Sequence, residues 1–269
     1  MSKTETVKIE LYGGEVKLNF LPNSHRYNLL DEEGKTVRVL RGVTTILNII
    51  DKSAPLLGWA TKLMGEYILK NPNNINSLED LIKEARFKYK KVKEDAALSG
   101  TKVHEWIEEH IKGNDPDMPE EPEVIRGVNA FLKWEMENKP EFLWTEKVVY
   151  SRKHEYVGTA DFACIINGVK YLGDIKTSKA IYPEYLLQTS AYMEALEEEI
   201  DEKYDSRLIL RVSKETEEEF RAKKGNEDKE FKVFEVVERS NEHKIKDFQA
   251  FLDTKGLYTW HRENKTYVK

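Results

Sequence analysis

Two aspartates and a lysine fall close together in "GTADFACIINGVKYLGDIK", Gly158 to Lys176. Asn167-Gly168 between two alternating runs is a strong hairpin signal, so the runs read as antiparallel neighbours. Positions mirrored about that turn set Asp161 across from Asp174, with Cβ atoms roughly 5 Å apart. Asp174 and Lys176 lie two residues apart and share a strand face. Carboxylates that close repel, and a divalent cation between them is the cheapest way to keep both ionised. Lys176 beside such an ion could orient or deprotonate a water. An Asp–Lys–Asp salt-bridge cluster on an exposed sheet face is the alternative. Apolar Ala160, Phe162, Leu172 and Ile175 tilt the reading toward the ion, because a carboxylate pair in an apolar setting needs a cation. Gly158 and Gly173 leave room for a ligand or a backbone to approach.

Other candidates stand further along the chain. His104 occurs in "SGTKVHEWIEEH", with Glu108 four residues on and on the same helical face. The two could form a ligand and its supporting partner. Gln188 and Tyr192 are also four apart, on the helix that directly follows the acidic strand. A lone helical histidine is more often structural or exposed, and a Gln–Tyr pair alone means little. Their placement beside the acidic strands is what gives them weight.

The elements that must hold these residues can be read from periodicity. "VKIELYGGEVKLNF" and "HRYNLLDEEGKTVRVL" predict two N-terminal hairpins. "GVTTILNII" predicts a short helix with Thr44 or Thr45 as N-cap, and "APLLGWATKLMGEYILK" a second, stopped by the "NPNN" breaker at 71–74. From Ser77 to about Ile111 the pattern is helical, with Leu81, Ala85, Tyr89, Val92, Ala96, Val103, Ile107 and Ile111 as its apolar stripe. Ser99-Gly100-Thr101 interrupts it and is expected to start a new helix. A further helix carries Val124, Val128, Phe131, Leu132 and Met136. Three strands follow over "FLWTEKVVYS", "YVGTADFACII" and "VKYLGDIKTS". Then come a helix over about 182–200, strands "SRLILRVS" and "FKVFEVVER" around a polar excursion, and a closing helix from about 241 with Ile245, Phe248, Phe251 and Leu252. This order predicts one α/β domain with an N-terminal elaboration.

Composition narrows the function classes. Charged residues are 34% of the 269 and no apolar run approaches the roughly 20 residues that span a bilayer, so a polar, globular, cytosolic protein is expected. The N-terminus alternates like a strand and lacks the apolar core of a signal peptide. Cys164 is the only cysteine, which excludes an internal disulfide and a cysteine-rich zinc or iron–sulfur site. A net charge of −6 argues weakly against a surface that grips nucleic acid all over, yet leaves room for a local basic groove. "KEARFKYKKVKE" at 83–94 is locally basic, and Trp59, Tyr89 and Trp106 near it could stack on bases, although core packing is the commoner use. No phosphate-cradling Gly-rich loop supports a small phosphorylated substrate.

Taken together, four elements resemble the PD-(D/E)XK nuclease superfamily, in its RecB-like branch. They are Gly100-Thr101-Lys102-Val103-His104 with Glu108, Gly158-Thr159-Ala160-Asp161, Asp174-Ile175-Lys176, and Gln188 with Tyr192. Each motif is weak; the ordered set is specific. "RGVTTILNIIDKSAPLLGWATK" is similar to the segment before the nuclease core in phage-type exonucleases and in the mitochondrial genome maintenance exonuclease. Asp174 stands where much of the wider superfamily has Glu, and the four cysteines that hold an iron–sulfur cluster in some relatives are absent. The resemblance implies a restriction-endonuclease-like α/β core, a central mixed sheet flanked by helices, after N-terminal hairpins over 1–42. The nuclease domain would occupy 43–269, helical over about 43–138 and catalytic over about 140–269. It implies that His104, Asp161, Asp174 and the Ile175 carbonyl bind Mg²⁺ or Mn²⁺, one or two ions. Lys176 would position or activate the attacking water, while Gln188, Tyr192 and Lys179 would contact the DNA strand. Glu108 and Glu146 are further possible members. The implied activity is phosphodiester hydrolysis of single-stranded DNA or DNA ends in recombination, repair or replication. A non-catalytic nucleic-acid-binding module with the same fold is the competing reading.

Overall fold

The computed structural model describes residues 6–71 and 77–265. Strands β1 (Val7–Leu11), β2 (Val16–Leu21), β3 (Arg26–Leu30) and β4 (Thr36–Val39) form an antiparallel sheet in that order, as the two hairpin patterns require. Leu18 and Tyr27 on its inner face pack with Tyr150 and Val157 of the main sheet.

That main sheet is mixed and flanked by helices on both faces. It contains β5 (Arg41–Gly42), β6 (Glu141–Ser151), β7 (Tyr156–Ile166), β8 (Val169–Lys176), β9 (Ser206–Val212) and β10 (Phe234–Ser240). The order runs β10-β9-β8-β7, with β5 and β6 both pairing to β7. The β8–β9 and β5–β7 pairs are parallel; the others are antiparallel. On one face, α1 (Val43–Leu47), α5 (Pro183–Ile200) and α7 (Asn241–Asn264) bury Ile46, Ala191, Met193, Leu196 and Phe251 against Ala163 and Leu172. On the other, α3 (Leu78–Ile111) and α4 (Pro122–Asn138) bury Val103, Ile107, Phe131 and Trp134 against Phe162, Cys164, Ile175 and Leu210. Each such large apolar side chain contributes about 1.5–3 kcal/mol. Arg207 on β9, 1% exposed, gives Nη1 to the Leu186 carbonyl at 2.7 Å and Nη2 to Asp247 at 2.6 Å. This paired buried charge fixes the height of α5, and with it Gln188 and Tyr192, over the sheet.

Several expectations need correction. Gly42, extended, caps α1 with no side-chain bond; Thr44 and Thr45 lie inside the helix. No new helix starts at Ser99-Gly100-Thr101: α3 runs unbroken for 34 residues from its Ser77 N-cap. The Ser99 and Thr101 hydroxyls bond back to the Ala96 and Ala97 carbonyls at 3.2 Å, so neither competes as a cap. Gly100 serves packing instead, since a Cβ there would lie 2.7 Å from Thr177 Oγ1. The apolar stripe of α3 is buried at Leu81, Ala85, Val103 and Ile107, whereas Tyr89 and Ala96 are exposed where the helix leaves the sheet. There α3 packs chiefly with α2 (Ser53–Lys70), which has no buried residue among those described. Met136 and Ile245 are also exposed, at 69% and 76%. Positions 72–74 of the expected breaker lie outside the described residues. The polar excursion after β9 holds a short helix, α6 (Glu217–Arg221), closed by a Thr216–Glu219 capping box. No described helix is long and apolar enough to cross a membrane.

Candidate active site

The candidate residues meet where β7 and β8 part. The ladder runs from Ile166↔Val169 to Phe162↔Gly173, the register expected from the Asn-Gly turn. It stops one pair short of Asp161 and Asp174. Instead, Asp161 Oδ2 accepts the Ile175 N–H at 2.7 Å, a carboxylate taking the place of a backbone acceptor. The Asp161 carbonyl accepts from Thr145 Oγ1 at 2.8 Å. Because β6 occupies the other edge of β7, β5 and β8 share this one. β5 reaches Val157 and β8 begins at Phe162, leaving Gly158–Asp161 without a strand on that side.

Three features hold the parting open. Phe162 lies across Gly173, where a Cβ would come within 2.1 Å of its Cζ. Tyr192 lies across Gly158, where a Cβ would come within 2.3 Å of its Cε1. Glu146, facing Asp161 from β6, takes the left-handed conformation at φ 49°, which interrupts the β6–β7 pairing there.

Asp174 is 1% exposed, and its Oδ1 has no hydrogen-bond partner among the described residues. Lys176 Nζ sits 2.7 Å from Oδ2 as an ion pair. The ammonium also lies over the Tyr185 ring of α5, 4.8 Å from its centroid. Burial, and then the neighbouring Asp161, raise the Asp174 carboxyl above its ordinary range despite Lys176. Asp161 is raised too, by burial, against the pull of Lys176 and of the Ile175 N–H. His104 projects from α3 with Nδ1 3.7 Å from Asp161 Oδ2. Burial first, then Lys176, lower its pKa to about 4, so the imidazole is neutral near pH 7 with a lone pair to give.

The remaining sequence candidates divide. Glu146 joins the cluster: loss of water around its carboxyl, then Asp161 and Glu108, push it up to about 8. Glu108 is ion-paired with Lys112 rather than bonded to His104. Gln188 and Tyr192 are 8% and 4% exposed, and Gln188 Nε2 donates to the Tyr192 hydroxyl at 3.0 Å. They form a floor beneath the carboxylates rather than an open surface. Ile175 enters through its N–H. Lys179 is exposed at the mouth of the cleft. Of the aromatic candidates, Trp106 donates Nε1–H to the Asp117 carbonyl and stacks on His110; Tyr89 is 43% exposed, and Trp59 is half-buried.

Hard oxygen donors and one neutral imidazole suit Mg²⁺ or Mn²⁺, and Asp174 Oδ1 is an oxygen donor without a partner. Among the described residues, however, no three His, Cys, Asp or Glu side chains converge as a finished cage. The Lys176 ammonium neutralises Asp174 instead.

A cleft of about 790 Å³ opens beside this cluster, lined by His104, Lys176 and Lys179 together with Lys93, Arg126 and Lys214. The sequence reading did not single out the last three. Lys93 belongs to the basic 83–94 run, a usable signal, but nothing local marks Arg126 or Lys214. The cleft is predominantly basic although the chain carries a net charge of −6.

The sequence matches no known family profile and no curated protein. Among solved structures, an alkaline exonuclease from Laribacter hongkongensis, LHK-Exo, is similar over 52% of this chain and 71% of its own, at 9% identity and a TM-score of 0.28. Its complex with dAMP covers 52% and 70% at 13% identity, with the same TM-score. The functional reading therefore rests on the geometry of the site itself.

Proposed function

We propose that the chain is a metal-dependent DNA nuclease, an exonuclease that hydrolyses phosphodiester bonds of single-stranded DNA or DNA ends in recombination, repair or replication. One observation carries this reading: Asp174 is buried with the Lys176 ammonium as its one close partner, beside Asp161 and near His104, next to a basic cleft. Two carboxylates buried together with one ammonium between them as counter-charge are costly and mark a functional group more often than a structural one. The exonuclease class and the DNA substrate come from the motif set; the basic cleft supports a polyanion.

His104, Asp161, Asp174 and the Ile175 carbonyl would hold Mg²⁺ or Mn²⁺, which when bound polarises the phosphodiester and neutralises charge on the leaving oxygen. Lys176, pinned between Asp174 and the Tyr185 ring, orients the attacking water toward phosphorus. His104 contributes a neutral ring nitrogen. Gln188 and Tyr192 hold the Gly158 backbone and the carboxylate floor in place, and so keep the strand edge open to the scissile phosphate. Lys179 contacts the strand at the cleft mouth. Glu146, crowded by Asp161 and Glu108, would be available to a second ion if one binds.

The Lys176–Asp174 ion pair favours a second reading, a binding module that neutralises its carboxylate without metal. A time course with Mg²⁺ or Mn²⁺ on 5′- and 3′-labelled DNA, single- and double-stranded, linear and circular, decides between them. Metal-dependent loss of linear DNA, abolished by Asp174→Asn, supports the nuclease and fixes its direction. Tight binding with no turnover in either metal supports the module.

A further inference from the structure

Lys214 follows β9 and is folded back into the cleft. Its Nζ donates to the Ala96 carbonyl at 2.8 Å and to Ser99 Oγ at 2.9 Å, both neutral acceptors on α3. Among the described residues no carboxylate is ion-paired with it. Burial draws its pKa below the ordinary lysine range, and Glu123 only partly offsets this. The position is built around it. A Cβ on Gly100 would lie 3.8 Å from Lys214 Nζ, and one on Gly127 would lie 3.5 Å from its Cγ. Arg126 Nε donates to the Lys214 carbonyl at 2.6 Å and holds the backbone in place. Gly100 lies one helical turn from His104, so the ammonium shares a wall with the proposed centre.

The surroundings add two more cations. Lys93 and Lys179, lining the same cleft, have neither a hydrogen bond nor an ion pair among the described residues. Elsewhere the protein pairs its cleft cations: Arg211 bonds Glu235, and Arg126 approaches Glu219 at 3.9 Å. A fold that leaves one half-buried ammonium on neutral acceptors, flanked by two unpaired lysines, has kept positive charge for an anion from outside.

We propose that Lys214 is a substrate-contacting residue that binds a backbone phosphate next to the scissile bond, with Lys93 and Lys179 continuing the contact along the strand. This rests on reading the cleft as a DNA-processing site. The strand then enters between α3 and the loop after β8. Lys214 exchanges the Ala96 carbonyl for a phosphate oxygen, a stronger, charge-assisted bond.

The test is DNA binding in EDTA, where cleavage cannot intervene, measured against salt for wild type, Lys214→Met, Lys214→Arg and Lys179→Ala. Each phosphate contact contributes about 0.7 to the slope of log K against log salt for single strands. Lys214→Met should lower the slope by about 0.7 and weaken binding about fivefold at 0.1 M salt. Lys214→Arg should keep the wild-type slope. Lys179→Ala, on the exposed loop, should lower the slope similarly and keeps the test decisive if Lys214→Met does not fold. An unchanged slope in Lys214→Met overturns the proposal, whether or not binding weakens, since weaker binding at constant slope means a structural role alone; an unchanged slope in Lys179→Ala overturns the path along the strand. Binding with the expected slopes but no cleavage in Mg²⁺ or Mn²⁺ upholds Lys214 and removes the nuclease. Absence of binding to any DNA by wild type overturns both.

Discussion

Replacing Lys176 by Met tests how the carboxylates are held. The side chain is 15% exposed and its ammonium lies 2.7 Å from an Asp174 oxygen. Methionine keeps most of the volume and removes the charge, leaving Asp174 and Asp161 buried together with no cation between them. Breaking a buried pair from one side costs about 3–5 kcal/mol. At roughly 2–4 °C per kcal/mol for a chain of this size, the metal-free variant should melt about 6–20 °C below wild type. Mg²⁺ or Mn²⁺ should restore much of that loss, because a bound cation would supply the counter-charge that the two carboxylates have lost. The assay is thermal melting by circular dichroism, in EDTA and across a metal titration. Equal melting of variant and wild type in EDTA would refute the buried-pair argument. A large loss that metal does not reduce would refute the claim that these carboxylates form a cation site.

Two further outcomes follow from the same geometry. Gly158→Ala drives a Cβ to 2.3 Å from Tyr192 Cε1, and Tyr192 is buried and held by Gln188. Overpacking of this kind costs about 1–3 kcal/mol, and adding Tyr192→Leu should recover part of it; an unchanged melting temperature for the single variant contradicts the close approach. Glu146 is raised from 4.5 to about 8, so the folded protein keeps a proton that the unfolded chain releases. Its stabilising contribution is complete below about pH 4.5 and is lost as pH rises through about 8. Metal-free Glu146→Gln should therefore lose less stability than wild type between those values. Parallel melting curves across that range would show that Glu146 is not crowded.

Much of this site was legible because its signals are local. Asn167-Gly168 set the hairpin register, which places Phe162 opposite Gly173 as expected. The i, i+4 spacing of Gln188 and Tyr192 put them on one face, and they do meet. What local pattern could not show is the break just beyond that register. The parting of β7 from β8 is held open by the Tyr192 ring over Gly158 and by Glu146 turning left-handed opposite Asp161, and β5 returns to the same edge. All three are long-range. Ser99 and Thr101 looked like caps because hydroxyls commonly cap, yet here they bond back within α3 while Gly100 accommodates Thr177, just after β8. Lys214 gave no signal: its partners, Ala96 and Ser99, are more than a hundred residues away in sequence. Tyr89, Met136 and Ile245 followed helical periodicity to exposed positions, since periodicity marks a face but not whether another element covers it.

The central claim is that Asp174 and Lys176 stand at a hydrolytic metal centre. The most direct measurement is the initial rate of nucleotide release from end-labelled linear single-stranded DNA in Mn²⁺, for wild type, Asp174→Asn and Lys176→Met. Wild type should release nucleotides in a reaction that EDTA abolishes, with each variant slower by about 10²–10⁴-fold while still binding DNA. Rates in both variants equal to wild type, or no metal-dependent release by wild type, would contradict it.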